Sequence, residues 1–232
     1  MGPHRSRSRR RVSGTARRGG LAAALLCLAA AVSGCGIVPY FSTIIFGGDE
    51  KIPPVYEFPK EKKILVFVSN DPSLHYLSGV EMVRTNLANA ISDQLLEHQV
   101  AASTVSQARL MNVLEQMSER ASMVEIGKAC GADFVLRVRI EKLSFQDIPN
   151  TTLYTGRMQT AVRVIDVGKG RVFPPVEEWH YLKPLTLVPA DDASPTYANV
   201  VAKTLVLKMS DTIAKLFYEH DAPKGGDPMS ME

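Results

Sequence analysis

The first 35 residues carry a charge and hydropathy pattern that decides which part of the chain is available to fold. Seven arginines precede residue 21, and residues 21–34 are then apolar or small, without a single charge. A basic region, a short apolar region and small residues, in that order, are typical of a secretory signal. The apolar run is too short for a comfortable transmembrane helix, which needs about 20 residues. We therefore predict that residues 1–34 form a signal peptide, whose removal leaves 198 of the 232 residues.

The end of the apolar run, Val32-Ser33-Gly34-Cys35, resembles the lipobox of bacterial lipoproteins. In that family the signal is cut before the cysteine and the thiol is acylated, so the resemblance implies lipidation, such as palmitate, at Cys35. The alternatives are an uncleaved anchor helix, or an ordinary secretory signal with an incidental cysteine. Gly36 is not the aspartate that retains many lipoproteins at the inner membrane. The resemblance therefore implies an outer-membrane protein that faces the periplasm.

The apparent basicity of the chain belongs to the predicted signal. The whole chain has 27 Lys and Arg against 24 Asp and Glu. Without the seven signal arginines, 20 Lys and Arg remain against 24 Asp and Glu, a net charge near −4. This balance argues against nucleic acid as a partner, and the remaining length suits one domain with tails.

Cysteine and histidine usage argues against several kinds of site. Cys27 leaves with the signal and Cys35 is the lipidation candidate, so Cys130 remains alone and we expect no disulfide within the chain. We interpret Cys130, at a predicted helix end, as a small buried apolar residue rather than a nucleophile. The histidines occur one to an element, without ligand spacing, and no phosphate-binding or dinucleotide-binding motif occurs. We therefore predict no metal, no cofactor and no catalytic residues.

We divide the chain after the signal into three parts. Residues 35–63 form a lipidated amino terminus and a flexible tether, in which Gly47-Gly48 and Pro53-Pro54 break regular structure. Its apolar residues 37–46 rest in the membrane interface, dock on the domain or pair with another subunit. Residues 64–220 form a single domain, and the polar residues 221–232 form a disordered tail.

Hydrophobic periodicity predicts elements in the order β-α-β-α-α-β-β-β-α between residues 64 and 220. The predicted helices are 76–98, 107–117 with Ser106 as its cap, 123–130 ending at Gly131, and 196–220. The predicted strands are 64–68, 100–104, 134–141, 153–167 and 171–181. Pro174-Pro175 interrupts the last of these, which indicates a bulge or an edge position.

From residue 134 onward, apolar and polar residues alternate as in strands with one buried face. We therefore predict an α/β (α+β) two-layer sandwich, in which helices cover one face of a mixed sheet. The first strand, helix and second strand form a crossover, and the last three strands form an antiparallel C-terminal meander.

Two segments carry a family resemblance. Residues 125–136, Glu-Ile-Gly-Lys-Ala-Cys-Gly-Ala-Asp-Phe-Val-Leu, resemble the helix, small-Gly-Ala-Asp and strand segment of a group of bacterial envelope domains. The group includes the curli-secretion lipoprotein, the amino-terminal domain of TolB-type periplasmic proteins, and lipoprotein activators of penicillin-binding proteins. Residues 164–172 are similar to the strand, Asp, Gly-turn and strand segment of that group. The resemblance implies a fold rather than a chemistry, and the chain has no obvious pair of long pore hairpins.

The face of the meander opposite the helices carries four arginines: Arg137, Arg139, Arg157 and Arg163. These form a candidate surface for lipid headgroups or a polyanionic glycan, because guanidinium groups fork onto oxyanions. The alternative is cross-strand pairing with Glu141, Glu177 and Glu178 on an ordinary solvated sheet. Trp179 and Tyr181 form a recognition patch, or alternatively they pack in the core or shield the sheet edge.

These observations favour a non-enzymatic, lipid-anchored envelope protein that binds another envelope component, either a protein or a polymer. The role would be that of a scaffold, an assembly factor or an activator, with the arginine face or an open sheet edge as the contact. One alternative is an oligomeric secretion or assembly subunit. Another is an envelope enzyme subunit with a site at the loop ends.

Replacing Cys35 by Ala should leave the precursor uncut, because the resemblance makes the thiol the acyl acceptor and the cleavage position. The checks are the size of the chain on a gel and the incorporation of labelled palmitate. Normal maturation of the Cys35→Ala variant would reject the lipid anchor.

Overall fold

The computed structural model describes residues 51–74, 76–77, 79–147, 154–187 and 198–222. The predicted signal, Cys35 and most of the predicted tail lie outside the described residues. None of the helices in the described ranges has the length and apolar character that crossing a membrane requires.

The described residues form four α-helices and nine short or long strands. The helices are α1 (Val80–Glu97), α2 (Gln107–Gln116), α3 (Met123–Cys130) and α4 (Ala198–Ala214). The strands are β1 (Lys51–Ile52), β2 (Lys63–Asn70), β3 (Ser103–Thr104), β4 (Phe134–Asp147), β5 (Tyr154–Asp166), β6 (Gly170–Phe173), β7 (His180–Tyr181), β8 (Leu185–Leu187) and β9 (His220–Asp221).

The main sheet is mixed, as predicted. Strand β2 pairs in parallel with β3 and β4, and β4 pairs antiparallel with β5. Strands β6, β7 and β8 then follow one another along the other side of β5, all antiparallel to it. The two prolines after Phe173 interrupt this edge because proline cannot donate to a ladder. The α+β sandwich class and the antiparallel C-terminal strands are therefore confirmed.

One face of the sheet packs on α1 and α4 and forms the larger core. The predicted stripe of α1 is buried along its whole length: Val80, Val83, Leu87, Ile91 and Leu95. It meets the alternate residues of β4 that were predicted to face the core: Phe134, Leu136, Val138 and Ile140. From α4, Val201, Leu205, Met209 and Ile213 are buried against the same face. The 3.6-residue and two-residue periods therefore identified the two surfaces that meet.

The shorter helices α2 and α3 add packing on the opposite face, over one end of the sheet. Leu110 of α2 and Ile126 of α3 are buried with Val135 of β4 and Ile165 of β5. These two strand residues are apolar on the face that carries arginines further along. Helices therefore cover part of the second face, which the prediction had left open to solvent.

The two segments that carry the family resemblance build turns in this fold. Gly131 ends α3 with φ +70°, as predicted for a left-handed cap. The Asp133 carboxylate accepts a hydrogen bond of 2.9 Å from the Lys63 amide, which ties the start of β4 to the start of β2. Asp166 accepts hydrogen bonds from the amides of Gly168 and Lys169 at 2.7 and 3.1 Å, which closes the turn before β6. Asp133 therefore connects the starts of two parallel strands and Asp166 stabilises a turn, so both aspartates have structural roles.

The amino-terminal part of the domain differs from the predicted tether over residues 51–63. Strand β1 pairs antiparallel with β9, and the amides of Val55 and Tyr56 donate to the Leu216 carbonyl. The Phe58 ring is 8% exposed and lies edge-on to Phe134, with a centroid distance of 5.5 Å. Prolines 53 and 54 do break regular structure, but the aromatic residues after them are apolar enough to dock on the core. The predicted last helix ends at Ala214 rather than at residue 220, and His220–Asp221 form β9, which pairs with β1.

Replacing Phe58 by Ala should lower the free energy of unfolding by about 3 kcal/mol, because it removes a buried ring from the core. Chemical denaturation followed by circular dichroism measures this change. The matched control is Glu57→Ala at the exposed neighbour, which should change stability by less than about 0.5 kcal/mol. A tether that does not pack would give equal, negligible effects for both variants.

Candidate functional site

Three of the four predicted arginines converge on the second face of the sheet, beyond the part that α2 and α3 cover. Arg137 and Arg139 are two residues apart on β4 and therefore point to the same face. Arg163 of β5 lies directly opposite Arg137 in the strand register. The other strand neighbour of Arg137 is Phe67 of β2. Like charges placed opposite each other repel, so this arrangement needs compensation.

Trp179 supplies part of that compensation. It lies in the segment between β6 and β7, and its side chain is only 3% exposed. The guanidinium carbons of Arg139, Arg163 and Arg137 lie 4.3, 4.4 and 5.2 Å from the centroid of the indole ring. The negative face of an indole attracts cations at these distances. Trp179 is therefore packed on the sheet, whereas Tyr181 is 55% exposed. We call Arg137, Arg139, Arg163 and Trp179 the arginine cluster.

Two carboxylates pair with the arginine cluster. Arg139 Nε donates to Glu141 Oε1 at 2.5 Å, and Arg163 Nη1 donates to Glu178 Oε1 at 3.4 Å. Pairing with these glutamates was the predicted alternative to an anion-binding surface. Among the residues that the structure describes, no carboxylate forms an ion pair with Arg137. Two carboxylates thus pair with two of the three guanidinium groups of the cluster.

The surroundings shift the pKa values of the arginines in different directions. Burial lowers the pKa of Arg137, and the charges of Arg163 and Arg139 lower it further. Burial also lowers the pKa of Arg163, although the charge of Glu178 acts in the opposite direction. Burial disfavours the charged form of Arg139 too, but the hydrogen bond to Glu141 and its charge raise the pKa overall. Since guanidinium groups stay protonated in proteins, the cluster keeps its excess positive charge at neutral pH.

Arg157 lies apart from the cluster. It is exposed on β5, opposite Ser144 of β4 and Thr186 of β8. Six residues of strand separate it from Arg163, which corresponds to about 20 Å. The structure therefore brings together three of the four predicted arginines, and the fourth serves as a natural control position.

The other candidate residues, His98 and Cys130, pack against neighbouring side chains or are buried. The His98 ring stacks on the Tyr218 ring, with 3.8 Å between the centroids, and the Cys130 side chain is 1% exposed. Within the described ranges, no three histidine, cysteine or carboxylate side chains lie close enough to share a metal ion.

A groove between α1 and α4 is the feature that sequence reasoning missed. Its volume is about 480 Å³, and its lining includes Met82 and Leu207, which are 69% and 53% exposed. Both residues are apolar positions off the buried helix stripes. An apolar residue on the otherwise polar side of a helix is the sequence signal for an additional contact face.

Comparison with known proteins finds solved structures that are similar to the chain at low identity. No protein-family model and no characterised sequence matches the chain. A solved PelC dodecamer from Paraburkholderia phytofirmans is 13% identical with a TM-score of 0.42, and the match covers 72% of this chain and 97% of that chain. Lipoprotein GNA1162 from Neisseria meningitidis is 16% identical with a TM-score of 0.40, covering 67% and 99%. TolB from Acinetobacter baumannii, a protein type that the sequence resemblance named, is 13% identical with a TM-score of 0.29, covering 71% and 28%.

The Cys130 thiol should be unreactive in the folded protein, because burial raises its pKa more than the nearby charges of Arg109 and Lys63 lower it. A raised pKa means that the reactive thiolate forms only at higher pH than for an ordinary thiol. At pH 8, alkylation by iodoacetamide should be at least about tenfold slower in the native protein than in urea. Mass spectrometry of the peptide that contains Cys130 measures both rates. Fast labelling of the native protein would instead indicate an accessible nucleophile.

Proposed function

We propose that the protein is a non-enzymatic, lipid-anchored protein of the cell envelope that binds another envelope component through the arginine cluster. The observation that carries the proposal is the excess of positive charge on the second sheet face. Three half-buried guanidinium groups gather around Trp179, and Arg137 has no carboxylate partner among the described residues. Buried charges in proteins are normally paired. A negatively charged group on the bound component would complete the pairing.

The lipobox resemblance at Cys35 supports the proposed anchor, and Gly36 after it favours the outer membrane, facing the periplasm. Lys51, the first described residue, follows Cys35 by 16 residues. A connection of that length spans at most about 55 Å when fully extended. The bound component must therefore lie within roughly this distance, plus the width of the domain, from the membrane surface.

An oligomeric assembly subunit is the second candidate, and the groove between α1 and α4 favours it. Met82, Val200 and Leu207 expose 69%, 48% and 53% of their area on these two helices. Contiguous exposed apolar surface is typical of protein–protein contacts. In that case the chain would bind further copies of itself, and the arginine cluster would be structural.

A photo-crosslinking residue at Val176 tests the first proposal in intact cells. Val176 is 87% exposed and lies three residues before Trp179, so at most about 11 Å of chain separates the two Cα atoms. We expect a captured envelope component from this position, and Arg137→Gln should remove most of the product. Arg157→Gln is the matched control and should leave capture unchanged.

The same crosslinker at Met82 separates the two candidates. Crosslinking at Met82 that joins two copies of the chain would favour the assembly subunit, provided that Val176 captures no other component. Capture of nothing beyond lipid from Val176 would remove the support for a binding function of the cluster.

A further inference from the structure

The arginine cluster has unpaired hydrogen-bond donors. Four buried side-chain polar atoms lack a partner among the described residues, and three of them belong to the cluster: Arg137 Nε, Arg163 Nε and Trp179 Nε1. All three are donors, so the missing partner is an acceptor. Beside guanidinium groups the acceptor that binds most strongly is an oxyanion. These three atoms are buried, and the contact that the cluster makes with a largely exposed side chain is the ion pair of Arg163 Nη1 with Glu178.

Glu178 is the group that is held loosely enough to move. Its side chain is 73% exposed, and its carboxylate lies 3.4 Å from Arg163 Nη1. By contrast, the Glu141 side chain is 16% exposed and pairs with Arg139 at 2.5 Å. A long ion pair with an exposed partner contributes little to stability. Displacement of the Glu178 carboxylate from this ion pair by an acidic group of a ligand therefore costs the domain little stability.

The position of Glu178 in the chain links it to the buried donors. It precedes Trp179 directly, in an exposed segment that begins after the two prolines. Its charge acts on both Arg137 and Arg163, which are neighbours across β4 and β5. A movement of Glu178 away from Arg163 therefore also changes the surroundings of the indole ring.

We propose that the Glu178 carboxylate, which pairs with Arg163, lies at the edge of an oxyanion site formed by Arg137 and Arg163, and that a carboxylate or phosphate group of the bound component displaces it. This inference rests on the function proposed above and names the chemistry of its ligand. The planar fork of a guanidinium matches both kinds of group. A lipid headgroup and a soluble phosphate compound are two sources of the same chemistry.

The test uses the fluorescence of Trp179, which is the one tryptophan of the chain. The full chain, purified in a nonionic detergent, is titrated with inorganic pyrophosphate. In a second arm, the chain is reconstituted into vesicles with and without a fifth of anionic phospholipid. Glu178→Gln should bind the anion about fivefold more tightly than the wild type, because the competing carboxylate is gone. Arg137→Gln and the charge-conserving Arg137→Lys should both bind at least about tenfold more weakly.

Glu177→Gln is the matched control, because it removes the same charge from the exposed neighbouring residue. It should leave the affinity within about twofold of the wild type. Equal tightening by Glu177→Gln and Glu178→Gln would overturn the displacement, since it would reflect net charge alone. A response to pyrophosphate and to anionic vesicles supports the site for either source, and a response to anionic vesicles alone identifies the source as a headgroup.

Absence of any fluorescence response to pyrophosphate and to anionic vesicles, in both the wild type and Glu178→Gln, would overturn the proposed oxyanion site. Retained capture from Val176 under that outcome would leave the proposed binding function standing. Loss of capture from Val176 together with a normal pyrophosphate response would overturn the proposed binding function and leave the oxyanion site standing. Circular dichroism of Arg137→Lys verifies that weaker binding does not come from unfolding.

Discussion

The antiparallel pairing of β4 with β5 is the interaction on which the rest of the structure depends. The two strands stay in register from Phe134 opposite Asp166 to Asp147 opposite Tyr154, with one shift between Ile140 and Lys142. Strand β2 extends the sheet on the β4 side, and β6, β7 and β8 extend it on the β5 side. Because side chains alternate between faces, this one pairing assigns Leu136 and Val138 to the helical core. The same alternation assigns Arg137 and Arg139 to the opposite face.

The pairing of β4 with β5 brings the arginines of the cluster together, and the repulsion between them is the electrostatic cost of this pairing. The register places Arg137 opposite Arg163, and repulsion between them opposes the pairing that the apolar face stabilises. The indole of Trp179 and the carboxylates of Glu141 and Glu178 offset part of this repulsion. A surface that served only to solvate the sheet would not need three guanidinium groups beside a buried tryptophan. The fold thus retains a local excess of positive charge, and ligand binding is the physical reason we propose for it.

The amino-terminal residues of the domain illustrate a limit of local sequence patterns. Pro53-Pro54 indicated a break in regular structure, and the structure has no long element there. Yet Tyr56 and Phe58 pack against Phe134, Phe173 and Phe217 through ring contacts between 5.1 and 5.7 Å. Such contacts join residues more than 70 positions apart, so no periodicity in a short window predicts them. The pairing of β1 with β9 joins the same amino-terminal segment to the carboxyl-terminal residues of the domain.

Local periodicity and backbone preference are enough to predict the order of the main elements, the caps at Ser106 and Gly131, and the buried face of each long strand. The sequence also placed the arginines on one face of the meander. Only the tertiary structure decided which of them meet. Strand register brings Arg163 opposite Arg137 and leaves Arg157 at a distance, and the return of the chain after β6 places the Trp179 ring beside the three arginines. Register and loop return arise from long-range packing, which a single sequence does not encode in any short pattern.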